Sequence, residues 1–388
     1  MLTGETTHRS DLQPDTIFAA LREIGLSRLR ETDHLWLVLD GSDLRKPHAQ
    51  CMASLQRVRP LAGGGLVPGY PTLTILGIGG NGTRGLLYHR LYSSQAEDFV
   101  SAPSETRRAI RTVGDALSDW TAPVTTIMDR GFDDQAIWEA VWAEGWHLVC
   151  RVMHTNRQVR AHPGGPLESL DTAARHLRAM GALRAEMLVQ KVGQARPKRQ
   201  PVTVRLRTCP VLIPTTYLPE PGEPPEHRER ACWLVEVALD QVAAPPWWLV
   251  TDHPVTSAEM AETIFRMYAQ RWAIEDTFKT AKETLGLESV QVLGYDAIRR
   301  LEALGWVALG YLLDLGVTLD WPQMRILRRL GGGEDRANRP VGKAVLLRGL
   351  QRLLDLLATE AILADEVRRH GRLPPAIAAM LGRSADDG

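Results

Sequence analysis

Tyr268, Arg271, Glu275 and Lys282 stand at offsets of 0, 3, 7 and 14. On one α-helix, turning about 100° per residue, such positions fall within roughly 60° of one another. A phenol, a guanidinium, a carboxylate and an ammonium on so narrow a face are hard to explain as solvated surface. Arg271 and Glu275 by themselves would also suit an ordinary i, i+4 ion pair. Asp40 and Asp129 supply two more carboxylates. Each follows an apolar run, Leu35–Leu39 and Val124–Met128, so each reads as the C-terminal end of a buried strand whose side chain points toward a shared site. Singly, either Asp would read as a turn or cap residue, and Asp40-Gly41 is a good turn dipeptide. Together, two strand ends and a crossing helix give an oxygen donor set suited to a hard divalent cation, which takes a few carboxylates plus substrate phosphates. A pair of such ions can activate the attacking oxygen and stabilise the leaving oxygen of an in-line displacement.

Positioning these side chains requires a sheet and a long helix. The spacing of Ile17, Leu21, Ile24 and Leu29 predicts a short first helix, followed by a strand over 35–39. Leu73–Ile78 and Gly85–Tyr92 read as two strands joined by the Gly80–Gly82 turn. A helix over 104–120 with Ser104 as its N-cap, a strand over 124–128, a helix over 133–144 and a strand over 147–153 follow. Three strands and then alternating helix and strand predict a mixed sheet flanked by helices. Beyond His154 the pattern becomes mainly β, with strands over 202–207, 232–239 and 247–251 and a Pro- and Glu-rich loop over 219–230. Thr256–Leu285 reads as one long helix, and the remainder as mostly helical apart from a loop over 331–340.

Composition narrows the function classes. The 388 residues carry 46 basic and 46 acidic side chains, with 44% hydrophobic residues. These values exclude a disordered, collagen-like or histone-like chain. The neutral total hides a local excess, since from Arg151 to Pro210 twelve Lys and Arg stand against three Asp and Glu. Arg151, Arg157, Arg160, Lys198 and Arg199, with Arg205 and Arg207, read either as a solvated basic face or, beside a phosphate-handling site, as a track for DNA. Cys51, Cys150, Cys209 and Cys232 form neither a C-x-x-C pair nor a disulfide framework, which makes a reducing cytosol the expected compartment. No signal-peptide pattern opens the chain. The apolar stretch Ala303–Leu319 contains Asp314 and is short for a bilayer span of about 20 residues. Zinc chemistry and P-loop phosphate binding lack their motifs.

The segments DGSDLRKP from Asp40, MDRGFD over Met128–Asp133 and Y-x2-R-x3-E-x6-K over Tyr268–Lys282 together resemble bacterial insertion-sequence transposases of the DDE type. They are similar in particular to the insertion sequence four family with its Y-R-E-K signature. The resemblance runs over residues 33–300 and includes a long β insertion between the second Asp and the Glu. It implies an RNase H-like mixed-sheet core interrupted by a mainly β subdomain, with a helical C-terminal region. The corresponding order is a short helical segment over 1–32, core over 33–153, basic insertion over 154–252, core with the signature helix over 253–294, and helices over 295–388. Asp40, Asp129 and Glu275 would be the ligands of Mg²⁺, with Mn²⁺ able to substitute. Asp133 matches a further acidic position.

By the same resemblance Tyr268, Arg271 and Lys282 contact phosphates near the cleaved end. That suits the bidentate grip of Arg and the point charge of Lys. Trp247 and Trp248 lie on the strand where relatives carry a Trp that stacks on a flipped base. Two adjacent strand residues face opposite ways, so one Trp should pack inward and the other, taken as Trp247, should face DNA. The expected protein is a cytoplasmic, nucleoid-associated enzyme of a mobile element. It would cut double-stranded DNA at transposon ends, join it to a target, and act as a homodimer without any membrane. Family members carry a longer N-terminal helical domain than the roughly 33 residues that precede the first strand here, which implies a shortened copy or end recognition moved elsewhere. The rival readings are an endonuclease with the same site but no strand transfer, and an idle DNA-binding relative.

Overall fold

A computed structural model describes residues 13–60, 64–217, 226–334, 341–372 and 375–380. In chain order these form α1 (Pro14–Leu29), β1 (Leu35–Arg45), β2 (Gln56–Val58), β3 (Val67–Gly79), β4 (Arg84–Leu91), α2 (Ala102–Ala116), β5 (Val124–Met128), α3 (Gln135–Ala143) and β6 (His147–Arg151). The insertion adds β7 (Gln158–Val159), β8 (Glu168–Ser169), α4 (Leu170–Ala173), β9 (Arg178–Val189), β10 (Lys198–Tyr217), β11 (Glu226–Leu239) and β12 (Trp247–Thr251). Helices α5 (Ala258–Ala269), α6 (Trp272–Lys279), α7 (Tyr295–Thr318), α8 (Trp321–Leu330), α9 (Lys343–His370) and α10 (Pro375–Met380) complete it. The first twelve residues, 218–225 of the Pro-rich loop and 335–340 of the loop after α8 lie outside the described residues.

Ten strands make one sheet in the order β2-β3-β1-β5-β6-β12-β11-β10-β9, with β4 also paired to β3. β1 is antiparallel to β3 and parallel to β5, which is parallel to β6. This is the mixed α/β sheet expected of an RNase H-like core. Alternate residues of each strand face opposite sides. Leu35, Leu37 and Leu39 point into the main core with Ile110 and Val113 of α2 and Trp138 and Val141 of α3, all fully buried. Helices α5 and α6 bury Ile264, Phe265, Met267, Ile274 and Phe278. The cap of α2 is Ser101 rather than Ser104. Its hydroxyl accepts from the Ser104 amide at 3.2 Å, and a proline in the first turn starts the helix earlier than the apolar pattern suggests.

The insertion extends the core sheet. β12 pairs antiparallel with β6, Leu249 opposite Arg151, so β9–β12 continue the same hydrogen-bonded ladder. β10 contains three prolines, Pro201, Pro210 and Pro214. The β9 ladder covers Lys198–Thr208 and the β11 ladder Val204–Tyr217. Each proline therefore lies where β10 has a neighbour on one side only, the placement a residue without an N–H tolerates. The joint between insertion and core is pinned by Asp252. It accepts from the Leu148 amide at 2.7 Å and from His147 Nδ1 at 3.1 Å.

The chain divides into two compact units. One comprises residues up to Lys279 together with Leu287–Leu304; the other comprises Thr280–Gly286 and the chain from Gly305. Within the second, α8 and α9 cross closely at Gly349, where an added Cβ would meet the Leu327 carbonyl at 2.0 Å. Within the first, Lys46 ties β1 to the segment that returns after the signature region. Its ammonium is buried and donates to the carbonyls of Leu287, Glu288 and Val290 at 3.0, 2.9 and 2.6 Å.

Replacing Lys46 with Met should remove three charge-assisted bonds from a buried place. Urea denaturation should show a loss of about 2–4 kcal/mol.

The Asp252 joint should respond to pH. Its bond to Asp252 raises the pKa of His147 above the ordinary 6.5. Burial alone would push Asp252 up, but the His147 and Leu148 bonds hold it below 3.8. The raised His pKa gives stability that is complete below its unfolded value and fades as pH rises through the folded one. The lowered Asp pKa gives stability that fades as pH falls. The difference in melting temperature between the parent and His147→Leu should be widest between roughly pH 4 and 6.5 and shrink by about pH 8.

Candidate active site

Strand pairing brings the two aspartates together. β1 pairs with β5 only as far as Leu39 opposite Met128. The next residues, Asp40 and Asp129, are thus neighbours where the parallel ladder stops. Asp40 is not at the end of its own strand, since β1 runs on to Arg45 against β3. What ends at Asp40 is the β5 neighbour, and that opens space beside the carboxylate. Asp129 leaves β5 and caps a short 3₁₀ turn, Arg130–Phe132.

The helix expected over 256–285 is broken in two. Ser257 caps α5, accepting from the Met260 amide at 3.1 Å. After Ala269 the bonds shorten to i→i−3: Arg271 N–H to the Tyr268 carbonyl at 3.0 Å, Ala273 to Gln270 at 2.9 Å and Ile274 to Arg271 at 3.2 Å. No proline or glycine forces this tightening. It lets α6 bury Ala273, Ile274, Thr277 and Phe278 while Glu275 stays exposed. Past Lys279 the chain opens into a π turn over Thr280–Thr284. The single helical face expected for Tyr268, Arg271, Glu275 and Lys282 is therefore interrupted. Lys282 falls in the π turn, within the second unit.

Arg271 gathers the carboxylates. Its Nη1 lies 3.3 Å from Asp40 Oδ2 and 2.7 Å from Glu275 Oε1. Asp129 has separate partners: it accepts from the Tyr268 hydroxyl at 2.9 Å, and Arg151 Nη1 stands 3.8 Å away. Burial raises the Asp40 pKa to about 6, with Arg271 pulling down and the Asp129 charge pushing up. Burial also pushes Asp129 up, but Arg271, the Arg130 amide, Tyr268 and Arg151 bring it below the ordinary value. One carboxyl is thus poised near neutrality beside one held ionised, an electrostatic environment typical of functional sites. Three carboxylates offer the hard oxygen donors that suit a divalent cation. Among the described residues, however, no three His, Cys, Asp or Glu side chains already stand as a metal cage. Arg271 bridges two of the carboxylates, Asp40 and Glu275, while Tyr268 and Arg151 hold the third, Asp129.

Trp247 lies beside this cluster, its ring 5.7 Å from Tyr268 and 6.1 Å from Trp272, with the Arg151 guanidinium 5.7 Å over it. Trp248 packs against the main core. Trp272, which follows Arg271 directly, and Lys46, inside the DGSDLRKP segment, are the site-related residues that sequence reasoning passed over. Asp133 is a structural anchor with a buried carboxylate. It accepts from the Met153 and His154 amides, both at 2.7 Å, and pairs with Arg157. Arg157 also stacks 4.1 Å over Trp138 and is 12% exposed, which corrects its place on an outward basic track. Arg160 pairs with Glu229 at 2.6 Å, Arg205 with Asp240 at 2.5 Å and Arg207 with Glu236 at 3.1 Å. Lys198 and Arg199 are exposed at the start of β10.

The sheet sets two aspartates side by side on adjacent strands, and α5 and α6 bring Tyr268, Arg271 and Glu275 to them. The family model for the transposase DDE domain matches residues 94–310, more than half of the chain, and the protein belongs to that family. The match includes Asp129 and Glu275 and begins after Asp40. No curated protein matches the chain. Membership makes this an enzyme that acts on DNA, of a class that uses divalent metal ions. No helix among the described residues is long and apolar enough to cross a membrane.

The two tryptophans should separate in the cleavage reaction rather than in stability. Trp248→Ala should cost roughly 2 kcal/mol in denaturant titrations, as loss of a half-buried aromatic does. Trp247→Ala, which removes a half-buried ring packed on Tyr268 and Trp272, should cost a similar amount. On a labelled duplex it should leave first-strand nicking intact while slowing release of the second strand, because base–aromatic stacking is worth about 1–3 kcal/mol.

Proposed function

We propose that this protein is a transposase of the insertion sequence four type, with Asp40, Asp129 and Glu275 as ligands of Mg²⁺ or Mn²⁺. The observation that carries the reading is the register of β1 against β5. It sets Asp40 beside Asp129, while Arg271 bridges Asp40 to Glu275. When bound, the metal ions would polarise the reacting phosphate and stabilise the attacking and leaving oxygens.

The chain's own side chains do the positioning. Water attacks phosphorus at the element's end, the bond from phosphorus to the 3′ oxygen breaks, and that oxygen takes a proton to become a 3′-hydroxyl. The hydroxyl then attacks a target phosphodiester in the same sense. Arg271 and Arg151 neutralise phosphate oxygens next to the carboxylates, and Lys282 remains the further phosphate contact that the family pattern implies. Tyr268, through Asp129, fixes that carboxylate's direction. Trp247 offers a stacking surface for an extruded base, which a hairpin at the cleaved end would require. Lys198 and Arg199 hold the backbone further out. The substrate is double-stranded DNA of the bacterial nucleoid, with two ends bridged by a homodimer.

The test uses a supercoiled plasmid carrying the DNA that flanks the gene. Asp40→Ala, Asp129→Ala and Glu275→Ala should each reduce cleavage by more than about 100-fold, since even second-shell partners of metal ligands are worth 10–100-fold. Circular dichroism and duplex binding should stay near the parent's. Normal nicking by the Glu275 variant would sink the assignment. Cleavage without joined products would favour a nuclease over a transposase.

A further inference from the structure

We propose that Arg271 is the resident counter-cation of the carboxylate cluster in the DNA-free protein. On this view, divalent metal and DNA phosphate enter as a coupled exchange that displaces it. The inference rests on the reading of Asp40, Asp129 and Glu275 as metal ligands.

Three observations carry it. First, a single nitrogen, Nη1, serves both Asp40 at 3.3 Å and Glu275 at 2.7 Å. One oxygen of each carboxylate is therefore held by a protein cation, the other Asp40 oxygen accepts from the Gly41 amide, and no ready metal cage exists among the described residues. Second, the Arg271 side chain is only 12% exposed and its Nε is buried with no hydrogen-bond partner. A guanidinium binds phosphate or carboxylate best through two parallel N–H donors. Here Nε, one donor of such a pair, is unpaired, and leaving a buried donor unpaired is unfavourable. Third, Arg271 lies at the i→i−3 turn between α5 and α6, so its side chain leaves the chain at a break between helices. Tight turns within helices often mark functional hinges.

The exchange follows from competition for the same atoms. A divalent cation on Asp40 and Glu275 removes the partners of Nη1. A phosphate that pairs with the guanidinium once it swings outward at this break, Nε included, frees the oxygens. Each event lowers the cost of the other, and such coupling must be reciprocal between the two ligands. Asp129 stays in place throughout, held by Tyr268 and Arg151. Without DNA the protein keeps its carboxylates neutralised. Metal binds fully only when a phosphate is present to take the arginine.

The test is Mn²⁺ affinity, read by electron paramagnetic resonance on the full chain, with and without a phosphorothioate-blocked duplex. The parent should bind Mn²⁺ weakly alone and about tenfold more tightly with duplex, within the usual range of allosteric coupling. Arg271→Ala should bind Mn²⁺ about tenfold more tightly than the parent without DNA, and the duplex should add little. Arg271→Gln, close in shape but neutral, should behave alike and serves if the Ala variant folds poorly. Variants that bind Mn²⁺ no more tightly than the parent, or that keep the parent's gain with duplex, would overturn the exchange. Asp40→Asn separates the two readings: Mn²⁺ binding unaffected by that change would refute the ligand assignment itself, whereas binding lost in Asp40→Asn but not tightened by Arg271→Ala would refute the exchange alone.

Discussion

The candidate site depends on a parallel ladder that stops early. β5 hydrogen-bonds to β1 through Met128 opposite Leu39 and then turns away, while β1 continues for six more residues along β3. Beyond that step one side of β1 has no strand neighbour, and the space accommodates Asp40, Asp129 and the Arg271 guanidinium. Had β5 continued, its backbone would fill that space and the carboxylates would face a closed sheet. The buried leucines of β1 fix the register, because a slip of one residue would turn Leu35, Leu37 and Leu39 out of the core. Packing energy thus sets the alignment of charged groups that contribute little to packing themselves.

Bringing like charges together opposes folding unless a cation or a proton intervenes. Here the cation is present and the proton is within reach. Arg271 supplies the cation, and burial raises the Asp40 pKa to about 6, so that carboxyl takes up a proton as pH falls through that value. Tyr268 and Arg151 take up the charge on Asp129 separately. The cluster is tolerated inside the sheet because each carboxylate has a donor of its own: Arg271 for Asp40 and Glu275, Tyr268 for Asp129.

Much of this was legible in the sequence, and the reasons for the rest are physical. The apolar runs before Asp40 and Asp129, and the mixed order of strands and helices, follow from periodicities that burial imposes. β9 escaped notice because its segment, RAMGALRAEMLV, is rich in helix-forming residues and largely exposed. Pairing with β10 decides its state, and that contact is not local. The break after Ala269 was equally hidden, since nothing in Gln270-Arg271 stops a helix and only tertiary packing of α6 tightens the turn. Charge counting saw Arg157 and Arg160 as one basic track. It could not see that a buried Asp133 takes one of them inside, because a sequence shows where charges lie along the chain but not which partners they meet.

Synthesis order gives the long separation of these parts a consequence of its own. Asp40 meets Arg271 across 231 positions of chain, and β6 waits for β12 about as long as the insertion takes to make. At a ribosomal pace of about 5–20 residues per second, the first aspartates emerge many seconds before the helix that neutralises them. A chain released early would hold two adjacent carboxylates with neither their arginine nor their glutamate. The contacts that join Asp40 to Arg271, and Arg271 to Glu275, are thus among the last that the growing chain can make.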